Sequence, residues 1–170
     1  MALKFKSSSC KVTNLKYHKN GKGENAPVPL DIKLSLMCAG SVLNTLLGGK
    51  ASSIWKEGRN KDLALPYLGG CSCGSVFTYC QVNIGGAELK DGTMSKISFT
   101  PLPGGQVDLS FNISVEEVSA AGVNKLRQLL QTTCEMVLSG GDLVVLSEDE
   151  EGDDDQQEDL LEDAEEETDD

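Results

Sequence analysis

Sixteen of the 24 residues from Ser147 to Asp170 are Asp or Glu, and none is Lys or Arg. A stretch this charged and this poor in large apolar side chains cannot bury enough surface to offset its ordering entropy, so a disordered acidic tail is expected. Folding is left to residues 1–146, which have the length and apolar content of one domain around one core. Within that body charge is again sorted. Residues 1–61 carry eleven Lys and Arg against three Asp and Glu, and residues 62–146 carry four against eight. A cationic surface that meets a polyanion, with a tethered anionic segment able to compete for it, follows from such a layout.

Hydrophobic periodicity gives the body its class. Leu30, Ile32, Leu34, Leu36 and Cys38 alternate with Asp31, Lys33, Ser35 and Met37, and Val107, Leu109, Phe111, Ile113 and Val115 alternate with small polar residues. Period two of this kind marks strands with one buried face. Cys10 to Tyr17 reads as a partner strand, and the loop from His18 to Pro29 is long for a hairpin. Val76 to Ile84 forms a further strand, with Phe77 and Tyr79 on one face and Gly85-Gly86 at its end. Lys90-Asp91-Gly92 reads as a turn into a strand over Met94–Leu102, and Pro101-Leu102-Pro103-Gly104-Gly105 as the next hairpin turn.

Ser41 starts a short helix that stops at Gly48-Gly49, and Leu63 to Leu68 is at most an edge strand because of Pro66. Ser119 to Gln131 has helical spacing. Thr133–Leu138 and Leu143–Leu146, on either side of Gly140-Gly141, read as a last hairpin. The expected fold is α+β, mostly antiparallel β, with about seven or eight strands and two short helices. An OB-like, partly open barrel is one way to close such a sheet.

Catalysis is not expected. The single histidine, His18, lies in a lysine-rich stretch, no nucleophile elbow is present, and Gly48-Gly49-Lys50-Ala51-Ser52 lacks Walker-loop spacing. Six cysteines without any Cys-x-x-Cys pair read as reduced packing residues of a cytoplasmic protein. A zinc site using Cys71, Cys73 and Cys80, with His18 or Cys38 as fourth ligand, is the minor alternative. Neither a secretory signal nor a membrane span is expected, and no cofactor.

Candidate binding residues come from the cationic half. Lys11, Lys16, Lys19 and Lys22 surround Tyr17, and Lys50, Lys56, Arg59 and Lys61 surround Trp55, the one tryptophan. Cations neutralise phosphates and aromatic rings stack on bases, which together suit single-stranded DNA or RNA. Thirteen lysines against two arginines favour backbone contact over bidentate base reading. In the tail, Leu160-Leu161 is the apolar handle a partner would read. The bland alternative for the tail is a solubility segment, and for each aromatic it is core packing.

A small β-rich body with basic patches, running through Val12–His18, Leu30–Leu34 and Ile97–Phe111 and ending in an acidic tail, resembles the single-stranded DNA-binding proteins of bacteria and especially of bacteriophages. That resemblance is one of arrangement. It implies an OB-fold body and a tail that recruits replication or recombination proteins, in the cytoplasm of a host cell. Family members place an aromatic at the tail's end, whereas this chain ends in Glu167, Thr168, Asp169 and Asp170. The rival expectations are a protein-interaction module whose acidic segment imitates nucleic acid and inhibits a host protein, and an oligomeric assembly protein of a virus.

Overall fold

The computed structural model describes residues 3–18, 28–47, 49–57, 60–64 and 69–144. Its elements are β1 (Leu3–Tyr17), β2 (Val28–Ala39), α1 (Val42–Leu46), a 3-10 turn (Lys50–Ser53), β3 (Cys71–Cys73), β4 (Val76–Ile84), β5 (Ala87–Leu102), β6 (Gln106–Val118), α2 (Ala120–Gln128) and β7 (Thr133–Val144). Among the described residues, seven strands and two short helices make the mostly antiparallel α+β fold that the periodicity predicts.

Hydrogen bonds run in a closed ring, β1 to β2 to β6 to β5 to β4 to β7 and back to β1, with every ladder antiparallel. An even number of strands is what allows such a ring to close without a parallel pair. Two strands carry most of the closure. β5 pairs with β4 through Ala87–Met94 and with β6 through Thr93–Leu102, and β3 covers the remaining edge at Ile97–Phe99. β1 pairs with β7 through Leu3–Lys11 and with β2 through Lys11–Tyr17. Where β1 changes partners, serine hydroxyls stand in for the ladder: Ser7 Oγ donates to the Met37 carbonyl at 3.0 Å and Ser9 Oγ to the same oxygen at 3.2 Å.

Bending a sheet into a closed ring calls for extra residues at the tightest places, and the structure has them on β4 and β5. Register shifts lie between Phe77 and Cys80, between Cys80 and Val82, and between Ser95 and Ser98. Tyr79, Asp91 and Lys96 sit there with positive φ of 58°, 54° and 51°. Three expectations are corrected by this. Lys90-Asp91-Gly92 is an irregularity inside β5 rather than a turn, and Gly85-Gly86 makes the β4–β5 hairpin. Phe77 and Tyr79 do not share a face: Phe77 is buried and Tyr79 is 64 % exposed, because the shift between them breaks the alternation. Gly140 and Gly141, with φ of 81° and 95°, lie within one continuous strand opposite the Tyr79 irregularity, so no last hairpin forms.

Inward residues form one apolar cluster. Leu30, Ile32, Leu34 and Leu36 of β2 meet Val107, Leu109, Phe111, Ile113 and Val115 of β6, with Phe77, Ile84, Met94 and Leu138 across the ring. The helices lie at opposite ends, since α1 follows β2 and α2 follows the antiparallel β6. Leu43 and Leu46 fill one end, Val123 and Leu126 the other. Ser119 caps α2 by accepting from the Gly122 N–H at 3.2 Å, whereas Ser41 stands at the N-cap of α1 with no side-chain cap bond. The Leu63–Leu68 segment contributes only an isolated bridge, Trp55 to Leu63, among its described residues. Among the described residues no helix is long and apolar enough to cross a membrane.

Candidate nucleic-acid interface

Alternation along β1 sends Leu3, Phe5, Cys10 and Val12 inward and therefore Lys4, Lys6, Lys11 and Lys16 outward, all four exposed. Register adds a fifth cation. Asn14 lies opposite Lys33 of β2, whose alternation also faces it outward. At about 3.3 Å per residue, the row from Lys4 to Lys16 follows a strand contour of roughly 40 Å around the outside of the ring. Ser8, Ser9, Asn14, Ser35 and Thr133 lie among the lysines, and two exposed apolar side chains also border the row, Val137 opposite Lys6 and Met37 beside Ser9. Two carboxylates interrupt it. Glu135 pairs with Lys6. Asp31 lies opposite Lys16, and its carboxyl is held below the usual range first by the Ser114 hydroxyl and then by His18, whose Nε2 is 2.9 Å away.

The second predicted cluster sits elsewhere, at the end of the ring covered by α1. Trp55 is half-buried there, with its six-membered ring against Gly40 and its Nε1–H donating to the Leu102 carbonyl at 2.9 Å. A Cβ at position 40 would collide with the indole, so glycine is required for this packing. Lys56 and Lys61 flank a small cavity of about 280 Å³ that Ser41 and Asn44 also line. The Lys61 stem packs over Gly105, and its backbone carbonyl accepts from the Gly104 N–H at 3.2 Å.

At the opposite end, Tyr17 is half-buried beneath Arg127. The guanidinium carbon lies 4.7 Å from the ring centroid and Nε donates to the phenol oxygen at 2.7 Å. Both aromatic rings read from the sequence as stacking platforms thus have protein partners, Gly40 for one and Arg127 for the other. Among the described residues Tyr79 is the openly exposed aromatic, and it borders a groove of about 780 Å³ whose lining includes Asp31, Asp91, Glu116 and Glu117 alongside His18 and Lys90.

The structure therefore brings Lys11 and Lys16 together with Lys4, Lys6 and Lys33, and separates them from Trp55, Lys56 and Lys61. For Lys50 only the backbone, in the 3-10 turn, is described. Lys19, Lys22, Arg59, Leu160 and Leu161 lie outside the described residues. Lys33 is the residue the sequence reading passes over, although its place on the polar side of a strictly alternating strand was visible.

The cysteines divide by place. Cys80 is inside the ring beside Gly141, with its thiol donating to the Phe77 carbonyl at 3.5 Å, while Cys71 and Cys73 lie on β3. Among the described residues no three His, Cys, Asp or Glu converge closely enough to hold a metal ion. Comparison with protein-family models, with curated proteins and with solved structures gives no match for this chain. The ring has six strands where an OB-fold has five, so no binding surface is transferred from that fold.

Proposed function

We propose that this chain is a non-enzymatic protein that binds single-stranded nucleic acid along the outward surface of β1 and β2, mainly through phosphates. The observation that carries the reading is the row of Lys4, Lys6, Lys11, Lys16 and Lys33 along the outward side of β1 and β2, where cations outnumber the two carboxylates beside them. Lysines on the outward side of a strand act as point charges, neutralising a backbone without reading bases. With Trp55 and Tyr17 engaged by the protein itself, stacking contributes little. The cluster at Lys56 and Lys61 serves as a separate, secondary contact.

The acidic segment from Ser147 onward supplies sixteen negative charges in the same molecule. Tethered to the end of β7, it competes with a bound strand at high local concentration and offers basic partner proteins a docking segment through Leu160-Leu161. Removing residues 147–170 is expected to tighten binding of a labelled single-stranded oligonucleotide at low salt. Failure of both the full-length and the shortened chain to bind at low salt would remove the proposal. A tail-dependent basic protein partner without oligonucleotide binding would replace it with the nucleic-acid-mimic reading.

A further inference from the structure

The six cysteines are free in the structure, and one pair of them has a special relation. Cys10 of β1 and Cys134 of β7 are directly opposite each other in the antiparallel ladder that closes the ring. Every other cysteine in a strand faces a non-cysteine partner: Cys38 faces Val107, Cys71 faces Phe99, Cys73 faces Ile97, and Cys80 faces Gly92 and Gly140. Directly opposed antiparallel residues have Cα atoms about 4.5 to 5.5 Å apart, inside the range a disulfide spans. The Cys134 side chain turns toward its partner, its Sγ lying 3.5 Å from the Cys10 carbonyl oxygen. Register makes the two side chains direct neighbours, and the Cys10 thiol feels Cys134 as an adjacent group.

We infer that Cys10 and Cys134 form a cross-strand disulfide site, oxidised by a small-molecule disulfide of the glutathione class, which staples the β1–β7 joint. The two positions differ in access. Cys10 is wholly buried, while Cys134 is only partly so. Cys134 is therefore the entry point. Its thiolate attacks one sulfur of the oxidant, the oxidant's S–S bond breaks, and one small thiolate leaves. Cys10 then gives up its proton and attacks Cys134 Sγ, expelling the second small thiolate, and the protons from the two protein thiols end on the two small thiolates. Overall, two protein thiols are oxidised to one disulfide and one small disulfide is reduced to two thiols.

Burial, and next the neighbouring Cys134, push the Cys10 thiol up to about 12, and burial also raises the Cys134 thiol, so the resting reduced pair is slow to react near neutral pH. Capture of Cys134 in the mixed disulfide removes that neighbour's opposition to a Cys10 thiolate. The link joins strands that are remote in sequence and restricts the unfolded chain strongly.

The test uses the full-length chain incubated with oxidised glutathione at mildly alkaline pH, followed by non-reducing digestion and mass spectrometry. One linked peptide joining Cys10 and Cys134 is expected, with a rise in melting temperature on the order of 10 °C that a reductant reverses. Cys134→Ala, at a half-buried position, is expected to abolish both. Cys10→Ser serves as a second variant, expected to stop at a glutathione adduct on Cys134. Three results would overturn the inference: an adduct on Cys134 of the wild-type chain that never resolves, a link between other cysteines, or no oxidation at all.

Discussion

Gly141 and Gly104 have similar backbone needs in different surroundings, and replacing each by alanine measures what the ring closure requires. Their φ values are 95° and 83°, so an L side chain at either place costs about 1–2 kcal/mol. Gly104 has nothing within 4 Å of where its Cβ would sit. A Cβ on Gly141 would lie 3.0 Å from Cys80 Sγ and 3.4 Å from the Phe77 Cβ, both inside the core. Overpacking of that kind adds about 1–3 kcal/mol. Reduced freedom of the unfolded chain returns about 0.4–1 kcal/mol to both variants alike. Gly141→Ala is thus expected to cost about 2–4 kcal/mol by urea denaturation, and Gly104→Ala about 1 kcal/mol. At about 2–4 °C per kcal/mol, the first should melt roughly 5–15 °C lower than wild type. Adding Cys80→Ala to Gly141→Ala should recover part of the loss, because the clashing sulfur is gone, giving a non-additive double-mutant cycle. Equal costs for the two glycines, or strict additivity with Cys80→Ala, would show that β7 does not press against β4 as described.

Trp55→Phe removes the donor that satisfies the Leu102 carbonyl and is expected to cost about 1–2 kcal/mol, read by circular dichroism during urea unfolding. Unchanged stability would mean that water replaces the indole N–H at that end of the ring. Asp31 has a folded pKa below its usual value, so its stabilising contribution is complete above about pH 4 and is lost as pH falls through the folded value. Asp31→Asn should therefore narrow the stability difference between pH 7 and pH 3, by a small amount because the carboxylate is about one-third exposed. In the wild-type background, Ser114→Ala should raise the Asp31 titration midpoint seen by NMR. A midpoint that stays put would shift the cause to His18.

Local patterning made some of this architecture legible and hid the rest. β2 and β6 alternate strictly because one face of each meets the core and the other meets water, so their sequences report their structure. The β5–β6 hairpin and α2 are likewise local, one set by Pro103-Gly104-Gly105 and the other by its apolar stripe. The first part of β1 was hidden, because Ser7, Ser8 and Ser9 look like loop residues and become strand only through long-range pairing with β7 and hydroxyl bonds to Met37. Irregularities escaped for a related reason. Tyr79, Asp91 and Lys96 adopt positive φ under the demands of ring closure, which no short window of sequence encodes. In the candidate interface, lysine positions were readable from alternation. The engagement of Trp55 by Leu102 and Gly40, and of Tyr17 by Arg127, depends on residues 47 and 110 positions apart in the two hydrogen bonds and was not.

The lysine row on β1 and β2 is tested most directly by the salt dependence of single-stranded oligonucleotide binding in the full-length chain, wild type against a Lys4→Gln, Lys11→Gln, Lys33→Gln triple variant. Each phosphate contact contributes about 0.7 to the slope of log K against log salt, so the variant's slope should be shallower by about 2. Equal slopes for the two proteins, with binding intact in both, would place the nucleic acid somewhere other than this surface.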